Sequence, residues 1–236
     1  MSSALKLPEN VQQQLYPDAG AAAQALADAV AGLLREALSA RPLASLMLSG
    51  GKSPIPFFQK LSLQDLDWSR VCVGLVDDRW VDANDPDSNE RLLREHLLKN
   101  AAASAQLVPL KNAQREPEQG VDEAEKLVAA IPRPFDALVL GVGDDGHTAS
   151  LFPCATETPA AMVSRRLVAA TRPQTAPHPR ITLTFPTILD SRAIFVAIGG
   201  ESKRAVIERA VVLNPPLPIG DVLLQSTAPV HVYWSP

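Results

Sequence analysis

Cysteine is nearly absent from this chain: Cys72 and Cys154 are the only two in 236 residues. That scarcity excludes the disulfide framework on which small secreted folds depend. Positive charge is also in short supply, with 22 Lys and Arg against 26 Asp and Glu and a formal net charge of -4. The basic residues are scattered, so the electrostatic footprint of a nucleic-acid-binding protein is missing. No apolar run is long enough to cross a membrane, and the Ala-rich stretch near Ala21 is broken by Gln24 and Asp28. The start, Met1-Ser2-Ser3-Ala4-Leu5-Lys6, lacks the charged-then-apolar pattern of a secretory signal. Internal repeats and low-complexity tails are lacking too. These absences lead to the expectation of a soluble, cytoplasmic protein with reduced thiols that binds neither nucleic acid nor membrane.

What is present is an alternation of helices and strands that suits one domain over residues 1–236, long enough for a sizeable core. Asp18 can cap a helix reaching about Ser39, with Leu26, Val30, Leu33, Ala37 and Leu38 on one apolar face. A strand over Leu43–Leu48 leads through Ser49-Gly50-Gly51 to a proline-started helix, Pro54–Lys60. Val71–Val76 reads as a buried strand ending at Asp77-Asp78-Arg79. Ser88–Leu98 reads as a helix with Glu90 and Arg94 set as an i,i+4 pair. A short strand at Leu107–Leu110 and a helix over Pro117–Ala130 precede a buried strand at Ala137–Leu140. Strands at Leu167–Ala170, Ile181–Thr184 and Ile194–Ile198, a helix at Ser202–Ala210 and a strand at Val230–Trp234 complete the pattern, with Asn214–Pro218 as a proline-rich loop. The predicted fold is α/β: three layers, α/β/α, with a mostly parallel, Rossmann-like sheet and helices on both faces.

Phe135 to Pro153 is the most informative stretch. After the strand comes Gly141-Val142-Gly143-Asp144-Asp145-Gly146-His147, a glycine-rich turn carrying carboxylates and a histidine. Turns at the carboxyl ends of strands are where open α/β sheets place their chemistry. An unperturbed imidazole exchanges protons near neutrality, at a pKa of about 6.5, so Asp145 and His147 form a candidate catalytic pair. The same residues match the G-x-G-x-x-G dinucleotide fingerprint, and Arg172 closes a later strand-like run where an NADP site wants a cation. Against that reading, Asp144 and Asp145 would set negative charge beside a pyrophosphate, and Pro153 and Pro159 stop the crossover helix. A purely structural Asp–His turn remains the bland alternative. After His147 the expectation is a short helical start ended by Pro153. Ser150 belongs to that start, since no G-x-S-x-G elbow surrounds it.

Further strand ends repeat the rhythm. Ser49-Gly50-Gly51-Lys52-Ser53 offers clustered N–H groups and hydroxyls, an anion cradle resembling the tail of a P-loop but with Leu46 in place of its first glycine. Asp77-Asp78-Arg79-Trp80-Val81 puts a cation and two carboxylates at a strand end, a triplet that alone reads as solvated loop charge. Gly199-Gly200-Glu201-Ser202-Lys203 joins a strand to a helix with Lys203 in its first turn, and His178-Pro179-Arg180 sets an Arg at a strand edge. Each signal is weak alone; five on one expected parallel sheet are not.

Together these segments resemble the 6-phosphogluconolactonase family, within the larger glucosamine-6-phosphate deaminase-like group. The resemblance is carried by Leu48–Pro54, Asp77–Val81, Asp87-Ser88-Asn89, Gly141–Pro153, Arg180-Ile181-Thr182 and Gly199–Lys203, across nearly the whole chain. Lys52 and Asp78 stand where relatives often carry Thr-type residues and Glu, and neither receives a role. The resemblance implies hydrolysis of 6-phospho-D-glucono-1,5-lactone to 6-phospho-D-gluconate in the oxidative pentose phosphate route. It implies chemistry without metal on a small-molecule sugar phosphate lactone; no cofactor is expected, and the chain is expected to be a monomer. His147 would then take the proton of the attacking water, and Asp145 would fix the imidazole tautomer, as in hydrolytic triads. Arg79 or turn N–H groups would receive the oxyanion. Ser49, Gly50, Gly51, Arg180 and Lys203 would hold the phosphate, with Asp77 and Asn89 beside the sugar.

Three other readings compete with this one. The amino-sugar deaminase-isomerases share the Asp-x-His turn but end it in Asn-Glu-Pro, where this chain has Leu151-Phe152-Pro153 without a carboxylate. A sugar-phosphate-binding regulatory module keeps the cradle and loses the base, whereas His147 is retained here. A metal hydrolase built from Asp77, Asp78, Asp145 and His147 lacks a recognised ligand spacing.

Overall fold

The computed structural model describes residues 4–236 and forms the long helices and buried strands that the apolar periodicity asks for. In chain order the elements are β1 (Val11–Leu15), α1 (Ala19–Ala40), β2 (Ala44–Leu48), α2 (Ile55–Leu61), β3 (Val71–Leu75), β4 (Asp77–Arg79), α3 (Asn89–His96), β5 (Gln106–Val108) and α4 (Pro117–Ala129). They continue with β6 (Ala137–Leu140), α5 (Thr158–Met162), β7 (Val168–Thr171), β8 (Arg180–Leu183), α6 (Phe185–Leu189), β9 (Ile194–Gly199), α7 (Gly200–Ala210), α8 (Pro218–Leu224) and β10 (Val230–Ser235).

Strands β2, β3 and β6 are buried along their whole length, as continuous apolar runs demand when both sheet faces are covered. They lie within a seven-stranded sheet of order β1-β10-β9-β6-β2-β3-β5, in which every neighbouring pair is parallel. With helices packed around it, this is the expected α/β architecture. Helix α1 is capped as expected, the Asp18 carboxylate accepting from the Ala21 N–H at 2.8 Å. It sets Leu26, Val30 and Leu34 into the core, each such burial contributing about 1.5–3 kcal/mol. Glu90 and Arg94 pair at 2.7 Å on α3, as their spacing requires.

Two features of this sheet place a site. The strands being parallel, their carboxyl ends share one edge. Chain order also reverses between β2 and β6, the switch point at which open sheets form a crevice. The Ser49 N–H donates to the Val139 carbonyl at 3.0 Å, holding the exit of β2 beside that of β6. At the opposite edge, buried Asp136 accepts from the Ser45 N–H at 2.9 Å and pairs with Arg41, tying the strand starts together.

The structure corrects several expectations. The strand-end signals do not share one parallel sheet: Asp77–Arg79 forms its own strand, β4, in a three-stranded antiparallel sheet of order β4-β8-β7. A run of three polar residues reads as loop because nothing local announces its partner, β8, about a hundred residues later. No helix starts after His147. Thr148 and Leu151 form an isolated bridge, Ala149 takes a left-handed φ of 49°, and the next helix is α5. Ser150 is therefore no helix-start residue but a fully buried hydroxyl. Strand β1 also went unforeseen, its glutamines hiding the alternation, as did α5, α6 and α8.

Candidate active site

The loop leaving β6 folds on itself before it presents anything. The Gly143 N–H donates to the His147 carbonyl at 2.9 Å, and the Gly146 N–H to the Gly143 carbonyl at 3.0 Å. The Thr148 hydroxyl closes the turn on the Gly141 carbonyl at 2.9 Å. Within this frame the Asp145 carboxylate accepts from the His147 N–H at 3.1 Å and lies 2.5 Å from the imidazole Nδ1. A carboxylate can only accept, so Nδ1 is the donor and the lone pair falls on Nε2. Gly143 has no room for a side chain, because a Cβ there would overlap the imidazole.

His147 lines a cavity of about 720 Å³ together with Ser49, Gly50, Gly51, Asp77, Arg79, Asn89, Arg180 and Lys203. Every residue given a catalytic or binding role in the sequence analysis therefore lines one space, except Asp145, which holds the imidazole from its Nδ1 side. The cradle comes from the exit of β2. Ser49 is nearly buried and its hydroxyl has no hydrogen-bond partner among the described residues. Gly50 is pressed against the Asn89 amide so closely that a Cβ would overlap it. Asn89, the first residue of α3, donates from Nδ2 to the Asp77 carbonyl at 2.9 Å. Asp77 in turn accepts from the Ser150 hydroxyl at 2.6 Å.

Asp78 points away from the cavity into the protein. Its carboxylate accepts from the backbone N–H groups of Arg79 at 2.7 Å, Asn89 at 2.7 Å and Glu90 at 3.1 Å. One side chain thus joins β4 to the amino end of α3. Burial raises its pKa to about 6, against the pull of those three backbone donors.

The antiparallel sheet supplies two of the cations, and α7 supplies the third, Lys203. Arg79 and Arg180 are register partners across β4 and β8. Arg180 is 5 % exposed. Its NH2 group donates to the Pro177 carbonyl at 3.0 Å while its Nε–H has no partner among the described residues. Burial lowers its pKa, opposed by the nearby Asp77 carboxylate. The Arg79 guanidinium reaches the Asp87 carbonyl. Lys203 meets Asp144 at 2.7 Å, and that pairing lowers the Asp144 pKa.

Four participants escaped the sequence. Ser150 holds Asp77, and Phe152 lines the cavity beside His147. His178, at a left-handed φ of 70°, pairs through Nε2 with Asp87 at 3.0 Å across the mouth, an interaction that lowers the Asp87 pKa. The segment His178-Pro179-Arg180 was readable as a strand edge, but nothing in it announces Asp87. Among the described residues no three His, Cys, Asp or Glu side chains converge to hold a metal ion. No described helix is long and apolar enough to cross a membrane.

The sequence and the fold recur in known proteins. A sequence model of the family described as glucosamine-6-phosphate isomerases/6-phosphogluconolactonase matches residues 17–234. A 6-phosphogluconolactonase of Pseudomonas aeruginosa is 39% identical over 99% of each chain. One of Neisseria meningitidis is 42% identical over 93% of this chain and 97% of its own. The crystal structure of a 6-phosphogluconolactonase from Shewanella baltica superposes with a TM-score of 0.95 at 44% identity, covering 98% of this chain and 100% of that one. A monomeric glucosamine-6-phosphate deaminase shares the fold, with a TM-score of 0.77 at 19% identity over 95% of this chain and 97% of its own.

Proposed function

The chain belongs to the glucosamine-6-phosphate isomerase/6-phosphogluconolactonase family, and from that membership we propose that it hydrolyses 6-phospho-D-glucono-1,5-lactone to 6-phospho-D-gluconate. The step belongs to the oxidative pentose phosphate route and proceeds by general-base chemistry without metal. The single observation that carries the proposal is the His147 imidazole, tied through Nδ1 to Asp145 at 2.5 Å in a cavity that Arg79 and Arg180 share.

Water bound between Nε2 and the lactone carbonyl gives its proton to His147 as its oxygen bonds the carbonyl carbon. A positioned base of this kind contributes about 10²–10⁴ in rate. The carbonyl π electrons move onto oxygen, where Arg79 or the turn N–H groups meet the charge; one such donor contributes about 3–4 kcal/mol. Asp145 stabilises the imidazolium without taking its proton. The tetrahedral centre then collapses, its bond to the ring oxygen breaks, and the imidazolium proton passes to that oxygen. The product is a hydroxy acid with neutral His147 restored.

The other end of the substrate is a phosphate. Ser49, Gly50, Gly51, Arg180 and Lys203 are the groups we assign to it, and its binding energy orients the reacting carbonyl. Ser49 and Arg180 both line the cavity, and Ser49 Oγ and Arg180 Nε are buried without a partner among the described residues, a cost that turning either side chain onto a bound phosphate would relieve. Asp77 and Asn89, linked through the Asp77 carbonyl, are left for the sugar hydroxyls. An isomerising deaminase would need a further acid-base group at the end of the turn, where this chain has Leu151-Phe152-Pro153.

The decisive experiment uses freshly generated lactone, wild type beside His147→Ala, with spontaneous hydrolysis subtracted. Acceleration by wild type that the variant loses is expected. No acceleration by wild type would overturn the proposal and send the same assay to glucosamine-6-phosphate.

A further inference from the structure

The imidazole of His147 is held on a side that hydrogen bonding does not explain. Its ring lies on that of Phe152, centroids 3.9 Å apart and planes 25° from parallel. Phe152 is 4 % exposed and reaches His147 across the bridge between Thr148 and Leu151. With Asp145 on Nδ1 and the Gly143 backbone against Cε1 and Nδ1, edge and face are both fixed while Nε2 stays open.

We propose that Phe152 is a positioning residue for the base assigned above: it sets the plane of the His147 imidazole and stabilises the imidazolium formed as water is deprotonated. The proposal rests on the lactonase function for its kinetic part and on geometry alone for the rest. An aromatic face carries negative quadrupole and attracts a cation lying over it. Neutral imidazole gains only stacking from such a ring, whereas imidazolium gains the electrostatic part too. The interaction therefore strengthens as the proton is transferred, which is the condition for lowering a barrier. The other charges around the pair are Asp144 and Asp145 on the same turn, Lys203 from α7 paired with Asp144, and Arg180 from β8, whose guanidinium carbon is 5.8 Å from the Phe152 ring centre. Asp145 answers the new charge at the ring edge; Phe152 answers it at the face.

Two substitutions separate this role from packing. Phe152→Leu keeps an apolar side chain and removes the π face, while Phe152→Tyr keeps the ring. With the leucine, kcat on freshly prepared lactone is expected to fall about tenfold with KM within about twofold; with the tyrosine, both stay within about twofold. Thermal midpoints report whether each variant folds, and Phe152→Met replaces the leucine if that variant does not. In parallel, the proton NMR signal of His147 Cε1–H, identified by its loss in His147→Ala, is expected upfield under the Phe152 ring and displaced in the leucine variant. This second readout needs no substrate. A leucine variant with wild-type kcat, or equal kcat losses in the leucine and tyrosine variants, overturns the proposed role. An undisplaced signal overturns the stacking itself. A wild type inactive on the lactone overturns the assigned function and the kinetic role together, while the NMR signal still decides whether the rings stack.

Discussion

Arg79 and Arg180 stand opposite each other in the antiparallel pairing of β4 with β8, two cations in register on the wall of one cavity. Like charges in directly opposed positions destabilise a sheet, and Arg180 also sits in surroundings whose burial lowers its pKa. The Asp77 carboxylate offsets part of that cost, and an anion bound between the two guanidiniums, as proposed above, would offset more of it.

Arg180→Leu tests that trade. Hydrogen bonds to a charged group contribute about 1.5–3 kcal/mol, so the variant is expected to bind 6-phosphogluconate about tenfold to a hundredfold more weakly. Its thermal midpoint without ligand should not fall, because a desolvated charge has been removed. Inorganic phosphate should raise the midpoint of wild type and leave that of the variant unmoved. Calorimetric titration and thermal denaturation check both halves; unchanged affinity would take Arg180 out of the phosphate site.

Asp78 makes a second prediction, concerning stability and pH. Its pKa rises on folding from an ordinary 3.8 to about 6. The folded state therefore holds this proton more tightly than the unfolded one. The resulting stabilisation is complete below 3.8 and is lost as pH climbs through 6. The span corresponds to about 3 kcal/mol, roughly half of it between pH 5 and pH 7. Relative to Asp78→Asn, which cannot titrate, wild type should lose stability as pH is raised across that interval. Urea denaturation of both proteins at several pH values measures the difference, and parallel curves would contradict it.

Both predictions depend on β4, the element hardest to see in the sequence. The buried runs Ala44–Leu48, Val71–Leu75 and Ala137–Leu140 were legible because their burial on both faces leaves continuous apolar residues. The turn at Gly141–His147 was legible because glycines and titratable groups stood directly after such a run. Asp77-Asp78-Arg79 carries no comparable pattern, since its burial is secured by hydrogen bonds to α3 and pairing with β8 rather than by apolar side chains. The Phe152 stack was hidden for another reason: a left-handed Ala149 folds the chain back where a helix was expected.

Lys203 and Asp144 provide a third test. Without ligand, the lysine is engaged by a carboxylate that is itself almost wholly exposed. Exposed ion pairs contribute about 0–1 kcal/mol, so Asp144→Asn should leave the thermal midpoint nearly unchanged. It removes a negative charge beside the site and frees Lys203 for an anion. Affinity for 6-phosphogluconate should rise a few-fold at low ionic strength and converge on wild type in high salt, as screening requires. Titrations at two salt concentrations decide it; weaker binding by the variant would mean that Asp144 positions Lys203 instead of competing for it.

Gly143 gives the sharpest separation of chemistry from binding. A methyl group there overlaps the imidazole at Nδ1 and Cε1 and crowds the Asp145 carboxylate, so Gly143→Ala must push the ring off its present axis. The cradle proposed for phosphate at Ser49–Gly51 and the arginines of β4 and β8 lie on other elements and are untouched. A displacement of about 1 Å in a catalytic group costs about 10² in rate, so kcat should fall by that order while the affinity for 6-phosphogluconate stays near that of wild type. Single-turnover kinetics and equilibrium binding measure the two separately. Retained turnover would show that the base does not depend on the Asp145–His147 geometry, and a parallel loss of binding would show that the glycine-rich turn also shapes the phosphate site.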